Sequence, residues 1–264
     1  MAQKQKNNFN LLKTEADFII YQFNQAPKSL QAEFKVEAQK EAFIVEFKNA
    51  KKIDVELVNQ LEQGTINLFF SLPADSVIAV KQKTKTIADN FFYYFNLKRN
   101  TEFNFFYSAV FQKDVAGKFL INHQQSGSVG NITAGIKAEK KSKFNLELIN
   151  NHLAQNTSGD IKVRALGLDQ TDGQIKNLIK IHPNAKNVES YLDTKILLLS
   201  DQCQIQTQPD LEISNDEVKA SHSASIGQID QNAVYYLMSR GLNKVQAIKM
   251  ITNSFLAEVE KNFV

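Results

Sequence analysis

Sulfur and indole are nearly missing from this sequence, which has one cysteine, three methionines and no tryptophan among 264 residues. A lone thiol, Cys203, excludes a disulfide within the chain and excludes a cysteine-built metal centre. It fits a reducing compartment. Long apolar runs are also absent: no stretch approaches the ~20 apolar residues that span a bilayer. The opening MAQKQKNNFN lacks the apolar segment of a secretory signal. A cytoplasmic protein without membrane contact is the expectation. Charge of one sign is scarce, since 31 Lys and Arg against 28 Asp and Glu leave a net +3. The longest basic tract, Lys137–Lys143, is short and interrupted by Glu139. That argues against a nucleic-acid partner, which calls for a clustered basic face. No P-loop, dinucleotide glycine pattern, nucleophile elbow or zincin string occurs, so the chain carries no enzyme signature.

What the sequence does have is short-range alternation. Ile53, Val55 and Leu57 alternate with Asp54 and Glu56. Phe144, Leu146 and Leu148 alternate with Asn145 and Glu147, and Ile161, Val163 and Ala165 with Lys162 and Arg164. A period of two marks half-buried strands. Turn residues separate them: Gly64, Pro73 with Asp75, Asp114–Gly117, Gly127–Asn131, Ser158–Asp160, Asp172 with Gly173, and Pro183 with Asn184. No long helical pattern intervenes, so an all-β core of many short strands follows, as a sandwich, a barrel or a solenoid. Evenly short strands favour the solenoid. So do asparagines near their ends (Asn150, Asn151, Asn156, Asn177, Asn184, Asn187), a residue suited to left-handed corner turns. No strict repeat is visible.

The two ends differ from this middle. Phe9–Ala26 carries apolar residues at Phe9, Leu12, Ala16, Ile19 and Phe23, a mixture of threes and fours that allows a short helix ending near Pro27. After Gly227, Asp230 is a good N-cap, Ala233, Val234, Leu237 and Met238 share a helical face, and Gly241 is a stop. Asn243 caps a second helix with an apolar stripe through Val245, Ile248, Met250, Ile251, Phe255, Leu256 and Val259. The expected organisation is a short N-terminal segment over 1–28, a β core over 29–226 and a helical hairpin over 227–264. The hairpin is too small for its own core and packs on the β body or on another chain.

Candidate site residues are few. His222 lies in a run of small polar residues, Lys219–Ile226, unlike a core strand. On the residues alone it reads as a polar strand-end side chain. Cys203 reads as a small buried hydrophobe, His152 and His182 as structural, and His123 as a solvated loop residue. Asp210 and Glu212 alternate, so both point to one face, where exposed charges are the commoner case than an acid–base pair.

Four ordered strings then carry a resemblance: HLAQNT (His152–Thr157), IKIHPNAKNVESY (Ile179–Tyr191), LLLSDQCQIQTQPDLEI (Leu197–Ile213) and DEVKASHSASIGQIDQNAVYYLMSRGL (Asp216–Leu242). Their order and spacing resemble the SufB/SufD family of iron–sulfur cluster assembly scaffold proteins, and within it the D-type member. The resemblance implies a right-handed parallel β-helix with a small C-terminal helical subdomain, acting as a non-catalytic scaffold. It implies pairing with a SufB-like subunit or a second copy, and docking of a SufC-like ABC ATPase on the helices through Tyr235, Arg240, Leu242, Ile248 and Phe255. It places His222 at the subunit interface as a contributor to cluster assembly and a metal ligand. The cluster would be held transiently between subunits rather than stably by this chain. Cys203 is the one thiol on offer.

Several positions depart from the family pattern. ASHSA stands where the D-type reads CSHGA, so Ala220 replaces a thiol. Thr194 falls where the B-type has its interface cysteine, and Ser221 and Ser223 replace acidic neighbours of its histidine. The N-terminal helical region, with its tryptophan motif, is expected to be reduced. Two rival readings remain: a carbohydrate-active enzyme on a β-solenoid, and an adaptor that has lost cluster chemistry.

Overall fold

Alternating burial is the rule that builds the body. In the computed structural model the backbone is described for residues 10–15, 18–23, 30–34, 42–47, 52–59, 64–84 and 89–263, and the side chains for 52–57, 64–84 and 89–263. The strands in chain order are β1 (Asn10–Glu15), β2 (Phe18–Phe23), β3 (Leu30–Phe34), β4 (Ala42–Phe47), β5 (Lys52–Asn59) and β6 (Thr65–Leu72). Next come β7 (Val77–Thr84), β8 (Asn90–Leu97), β9 (Glu102–Phe111), β10 (Val115–His123), β11 (Val129–Ala138) and β12 (Lys143–His152). The last are β13 (Ser158–Gly167), β14 (Asp172–Ile181), β15 (Val188–Leu198), β16 (Gln204–Ile213) and β17 (Val218–Gln228), followed by helices α1 (Gln231–Ser239) and α2 (Lys244–Glu260). In β6, β8 and β10 every second side chain is buried.

The chain alternates between two sheets. One has nine strands in the order β1-β2-β4-β6-β8-β10-β12-β14-β16, the other eight in the order β17-β15-β13-β11-β9-β7-β5-β3. Apart from the antiparallel β1–β2 pair, neighbours are parallel and stacked in register. This is a β-solenoid, as the short strands suggested. Equivalent residues drift apart along it. Asn90 bonds Thr65, 25 residues away, Asn122 bonds Asn96 at 26, Asn151 bonds Asn122 at 29, and Lys180 meets Glu212 at 32. A coil that lengthens as it climbs shows no fixed sequence period, which is why no repeat was visible.

Inward columns fill the solenoid. Phe91, Tyr93, Phe95, Phe103, Phe105, Tyr107 and Phe119 are all buried and in mutual ring contact, with centroids such as Phe95–Phe103 4.6 Å and Phe105–Phe119 5.1 Å apart. Each such ring stabilises the fold by roughly 1.5–3 kcal/mol through burial. At the corners, left-handed φ values occur at Asp75, Asn100, Lys140, Asn156, Asp169 and Asn187. Asn156 and Asn187 thus take the corner role expected of asparagine, and Asn187 Nδ2 donates to Asn156 Oδ1 at 3.1 Å. Asn150 and Asn177 instead lie within strands and are fully buried.

The short helix expected over Phe9–Ala26 is not formed where the backbone is described: β1 and β2 make an antiparallel pair there, and β2 continues the parallel sheet onto β4. Its run Phe18-Ile19-Ile20-Tyr21 is β-branched and aromatic, and pairing outweighs the weak helical spacing. Residues 1–9, 16–17 and 24–29 of that segment lie outside the described residues.

The C-terminal helices follow their caps. Asp230 Oδ1 accepts from the Asn232 amide at 2.8 Å, and Asn243 and Gln246 form a reciprocal capping box at 2.9 Å. Gly241, at φ +96°, separates the helices. Val234 and Ala247 are buried with Ile229, and Leu237, Leu242, Ile248 and Ile251 pack around them against Leu197 and Leu199 from the end of β15. Further along, α2 crosses the outer face of the eight-stranded sheet. A Cβ at Gly135 would lie 2.9 Å from Val259 Cγ1, so glycine there lets the helix sit close. Among the described residues no helix is long and apolar enough to cross a membrane.

Candidate functional site

The last strand, β17, reads VKASHSASIGQ and is an edge: it pairs with β15 and has no strand on its other side among the described residues. Small residues make it slim, and most of its side chains are exposed. His222 is aligned with Leu192, Leu192 with Ile161, Ile161 with Ile132, Ile132 with Phe105, and Phe105 with Val80. Every one of those partners is buried, whereas His222 is exposed. The histidine therefore stands at the open end of an apolar column. Ala220, where the resemblance expects a thiol, is aligned with Ser190. This stretch of the edge strand thus offers an imidazole and no sulfur.

On the outer face of β17, Ser223 sits between Tyr191 and Asp193. The Tyr191 hydroxyl donates to Ser223 Oγ at 2.7 Å, and Ser223 Oγ donates to Asp193 Oδ1 at 3.0 Å. Asp193 Oδ2 accepts from Arg164 Nη2 at 2.6 Å, and the same nitrogen donates to Glu258 Oε2 on α2 at 2.6 Å. Burial works against the Asp193 charge. Hydrogen bonds from Arg164 and Ser223, with the charges of Arg164 and Lys195, outweigh it and hold the carboxyl below its ordinary value. Sequence reading missed this network, because Arg164 and Glu258 are 94 residues apart.

The two thiol-related positions are interior ones. Cys203 is buried in the core, and burial, with the negative charges of Asp169 and Asp172, pushes its thiol up to about 11. A thiol that stays protonated is a weak nucleophile and ligand. Thr194 is fully buried, and its hydroxyl accepts from Asn177 Nδ2 at 2.7 Å. Thr194 is aligned with Ala224 of the edge strand, two residues from His222, but it brings a hydroxyl and no thiol.

The other histidines divide differently from expectation. His123 is not a solvated loop residue: it ends β10, is fully buried, and stacks on His152 with centroids 4.2 Å apart. His123 Nδ1 bonds Ser128 Oγ at 3.0 Å, and His152 Nδ1 bonds Thr157 Oγ1 at 2.8 Å. Burial, then the charge of the other ring, drives His123 well below the ordinary imidazole value, and burial alone brings His152 to about 3. Gly130 and Gly159 make the room, since a Cβ at either would lie within 3.2 Å of the His123 ring. The signal was present as two copies of Asn-His followed by Ser or Thr five residues after the histidine and Gly two later, the Asn122 and Asn151 pair being 29 apart. His182 Nε2 closes an outer ladder on Asn151 Oδ1 at 3.0 Å.

The proposed docking residues split. Tyr235 and Arg240 are exposed, and Arg240 lies over the Tyr236 ring at 5.2 Å. Leu242 and Ile248 pack into the hairpin's own cluster, so their first task is to hold the two helices together. Phe255 is half-buried. Tyr236, Val245 and Met250, at 59%, 76% and 53% exposure, are larger free apolar surfaces than any of these three.

The two carboxylates singled out from the alternation are tied up. Glu212 is paired with Lys180 at 2.7 Å, and Asp210 accepts from Gln208 at 2.8 Å. A groove lined by Asp89, Asp114, Asp172 and Lys143 runs along one corner. There Asp114 accepts from the Lys143 amide, while hydrogen bonds from Lys113 and the Gly64 amide hold Asp89 low, the opposite of a catalytic acid. Among the described residues no group of three or more His, Cys, Asp or Glu side chains is placed to hold a metal.

Comparison with known proteins agrees with the architecture. The iron-sulfur cluster assembly protein SufD of Bacillus subtilis is 30% identical over 123 residues, covering 47% of this chain and 28% of the relative. SufD of Escherichia coli is 35% identical over 91 residues, 34% of this chain and 22% of the relative. A SufBD family protein of Pyrococcus horikoshii is 37% identical over 83 residues, 31% and 19% respectively. The matches thus span less than a third of the length of these relatives. The family model described as "SUF system FeS cluster assembly, SufBD core domain" covers residues 30–255, which is β3 to β17 and most of the helical hairpin. The chain therefore belongs to the SufBD core family of the SUF iron–sulfur cluster assembly system, as a SufD-like member.

Proposed function

We propose that this chain is a non-catalytic scaffold subunit that closes its open solenoid end against a SufB-like subunit or a second copy of itself, and docks a SufC-like ABC ATPase on α1 and α2. The observation that carries the reading is the end coil: an eleven-residue edge strand whose inward column changes from Leu192 to His222. A long edge strand with unpaired backbone groups is a template for pairing with another chain. In such a pair His222 lies in the seam. A nascent cluster is the cargo there, and this chain offers it one imidazole. Iron–sulfur clusters are typically held by four protein ligands, so the remaining ones come from the partner.

Exposed Tyr235, Tyr236, Val245 and Met250 support a docking surface on the helices. ATP-driven movement of the docked subunit would reach the seam through α2 and the sheet it crosses. The adaptor reading differs in one respect only, since it keeps both contacts and drops the imidazole's role. A soluble cytoplasmic setting fits both.

Co-expression of the chain with a SufB-like subunit and a small ABC ATPase tests the proposal. A stable complex after purification is the expected result, and no complex with either partner overturns it. Within the complex, His222→Ala is expected to lower cluster assembly while leaving the subunits together. An undiminished yield moves the chain to the adaptor role.

A further inference from the structure

We propose that Arg164 is a latch coupling the seat of α2 to the edge strand β17, so that displacing the helix loosens the strand that carries His222. The guanidinium lies on the outer face of β13 under α2, with a side-chain exposure of 5%. Its Nη1 donates to the Val163 carbonyl at 3.0 Å and the Asp193 carbonyl at 3.2 Å. Its Nη2 serves two carboxylates from different elements: Asp193 of β15 and Glu258 of α2, both at 2.6 Å. Arginine's planar fork suits this sharing, and a lysine ammonium lacks it.

The chain of bonds continues in one direction. Both oxygens of Asp193 are committed, Oδ2 to Arg164 and Oδ1 to Ser223, and Ser223 in turn accepts from Tyr191. Four elements or segments are joined end to end: α2, β13, β15 and β17. Bonds to charged groups are the stronger kind, and linked ones polarise one another. Ser223 and His222 are neighbours on a strand, so their side chains point to opposite faces. A shift of the Ser223 backbone re-aims the imidazole on the other side.

The two carboxylates are not equivalent, and this makes a latch rather than a rivet. Asp193 is 13% exposed, whereas Glu258 is 39% exposed and has a second cation, Lys162, 3.8 Å from its other oxygen. Glu258 can leave Arg164 without being stranded in an apolar site, and Asp193 cannot. The Arg164–Asp193 pair is the fixed half and Glu258 the release. Whether an ATPase pulls on α2 rests on the proposed function, but the coupling itself does not.

Amide hydrogen exchange on the full chain without partners tests it. The readout is β17 (Val218–Gln228) against β16 (Gln204–Ile213), an edge strand of the same end coil outside the latch. Glu258→Ala is expected to speed exchange in β17 by about tenfold, the effect of losing one charge-assisted bond, and to leave β16 unchanged. It also shifts the His222 ring proton resonances. Lys162→Ala, which removes the other cation near Glu258, leaves β17 as it was. Arg164→Lys reproduces the Glu258→Ala pattern in a chain that keeps the charge. In a Ser223→Ala background, Glu258→Ala adds nothing further to β17. Equal acceleration of β16 and β17, an unaltered β17, or a full additional effect on the Ser223→Ala background each overturns the latch. None of these outcomes depends on complex formation, so failure of co-purification leaves the test standing.

Discussion

One register position compares the middle of the solenoid with its last coil. In the middle coils it holds Phe105 and Ile132, each with no exposure, and in the final coil it holds His222, exposed on an edge strand. The surrounding interior changes in step. Around Phe105 the columns are rings touching rings. Toward the last coils they become His152, Asn150, Asn177, Thr194 and Thr207, several with buried polar atoms lacking a protein partner. Middle coils are built for stability, where apolar burial dominates. Final coils forgo part of that burial and leave an edge strand unpaired among the described residues, the surface that the proposed pairing would use.

The sharpest way to break this comparison is to truncate the side chain at this register position in a middle coil and in the last one. Phe105→Ala deletes a ring packed against Tyr93, Phe95, Tyr107 and Phe119. A loss of about 3–5 kcal/mol is expected for a buried Phe. His222→Ala, on an exposed edge, is expected to stay within about 0.5 kcal/mol. Urea denaturation of the two variants measures both, and comparable losses would mean that the end coil is as tightly packed as the middle.

That division was only half legible in the sequence. The alternation at Ile161, Val163 and Ala165 depends on local chemistry, and these three are buried as a period of two requires. The helix caps at Asp230 and Asn243 are local in the same sense. Phe9–Ala26 failed because its apolar spacing suited two geometries and a neighbouring strand decided between them. His123 failed for a different reason. INHQQSG reads as a polar loop until the coil 29 residues later places His152 against it. The Arg164 network depends on a helix residue 94 positions further along the chain, and local patterns carry no trace of such a contact.

The polar interior itself can be sharpened with acid. His123 and His152 are neutral and buried in the folded chain, with folded values below the ordinary 6.5. Unfolded histidines take up protons at higher pH than these do, so stability is complete above pH 6.5 and falls as pH drops below it. For His152, with a folded value of about 3, the loss at pH 4.5 is on the order of 3 kcal/mol. His123 acts in the same direction. Stability measured between pH 7 and 4.5 is expected to decline steeply in the wild type and less steeply in His152→Gln. An equal slope in both would remove the histidine stack as the cause, because the depressed carboxylates, such as Asp193, titrate at lower pH.

The smallest effect on stability is expected from the change that makes the last coil resemble the others. His222→Leu repeats Leu192 at the next position of its column and extends the apolar stack by one residue. Because the position is exposed, the leucine gains little burial in the isolated chain, and the denaturation midpoint is expected to move by less than the equivalent of about 0.5 kcal/mol. In a scaffold pair the same leucine meets the partner's edge and favours association, while it offers iron no lone pair. Association that is unchanged or tighter, together with reduced cluster assembly, separates the two tasks of the end coil: the edge strand pairs and the imidazole takes part in chemistry. Weaker pairing would show instead that His222 supplies part of the contact itself, and then the contrast between the middle column and its last residue is one of binding as well as chemistry.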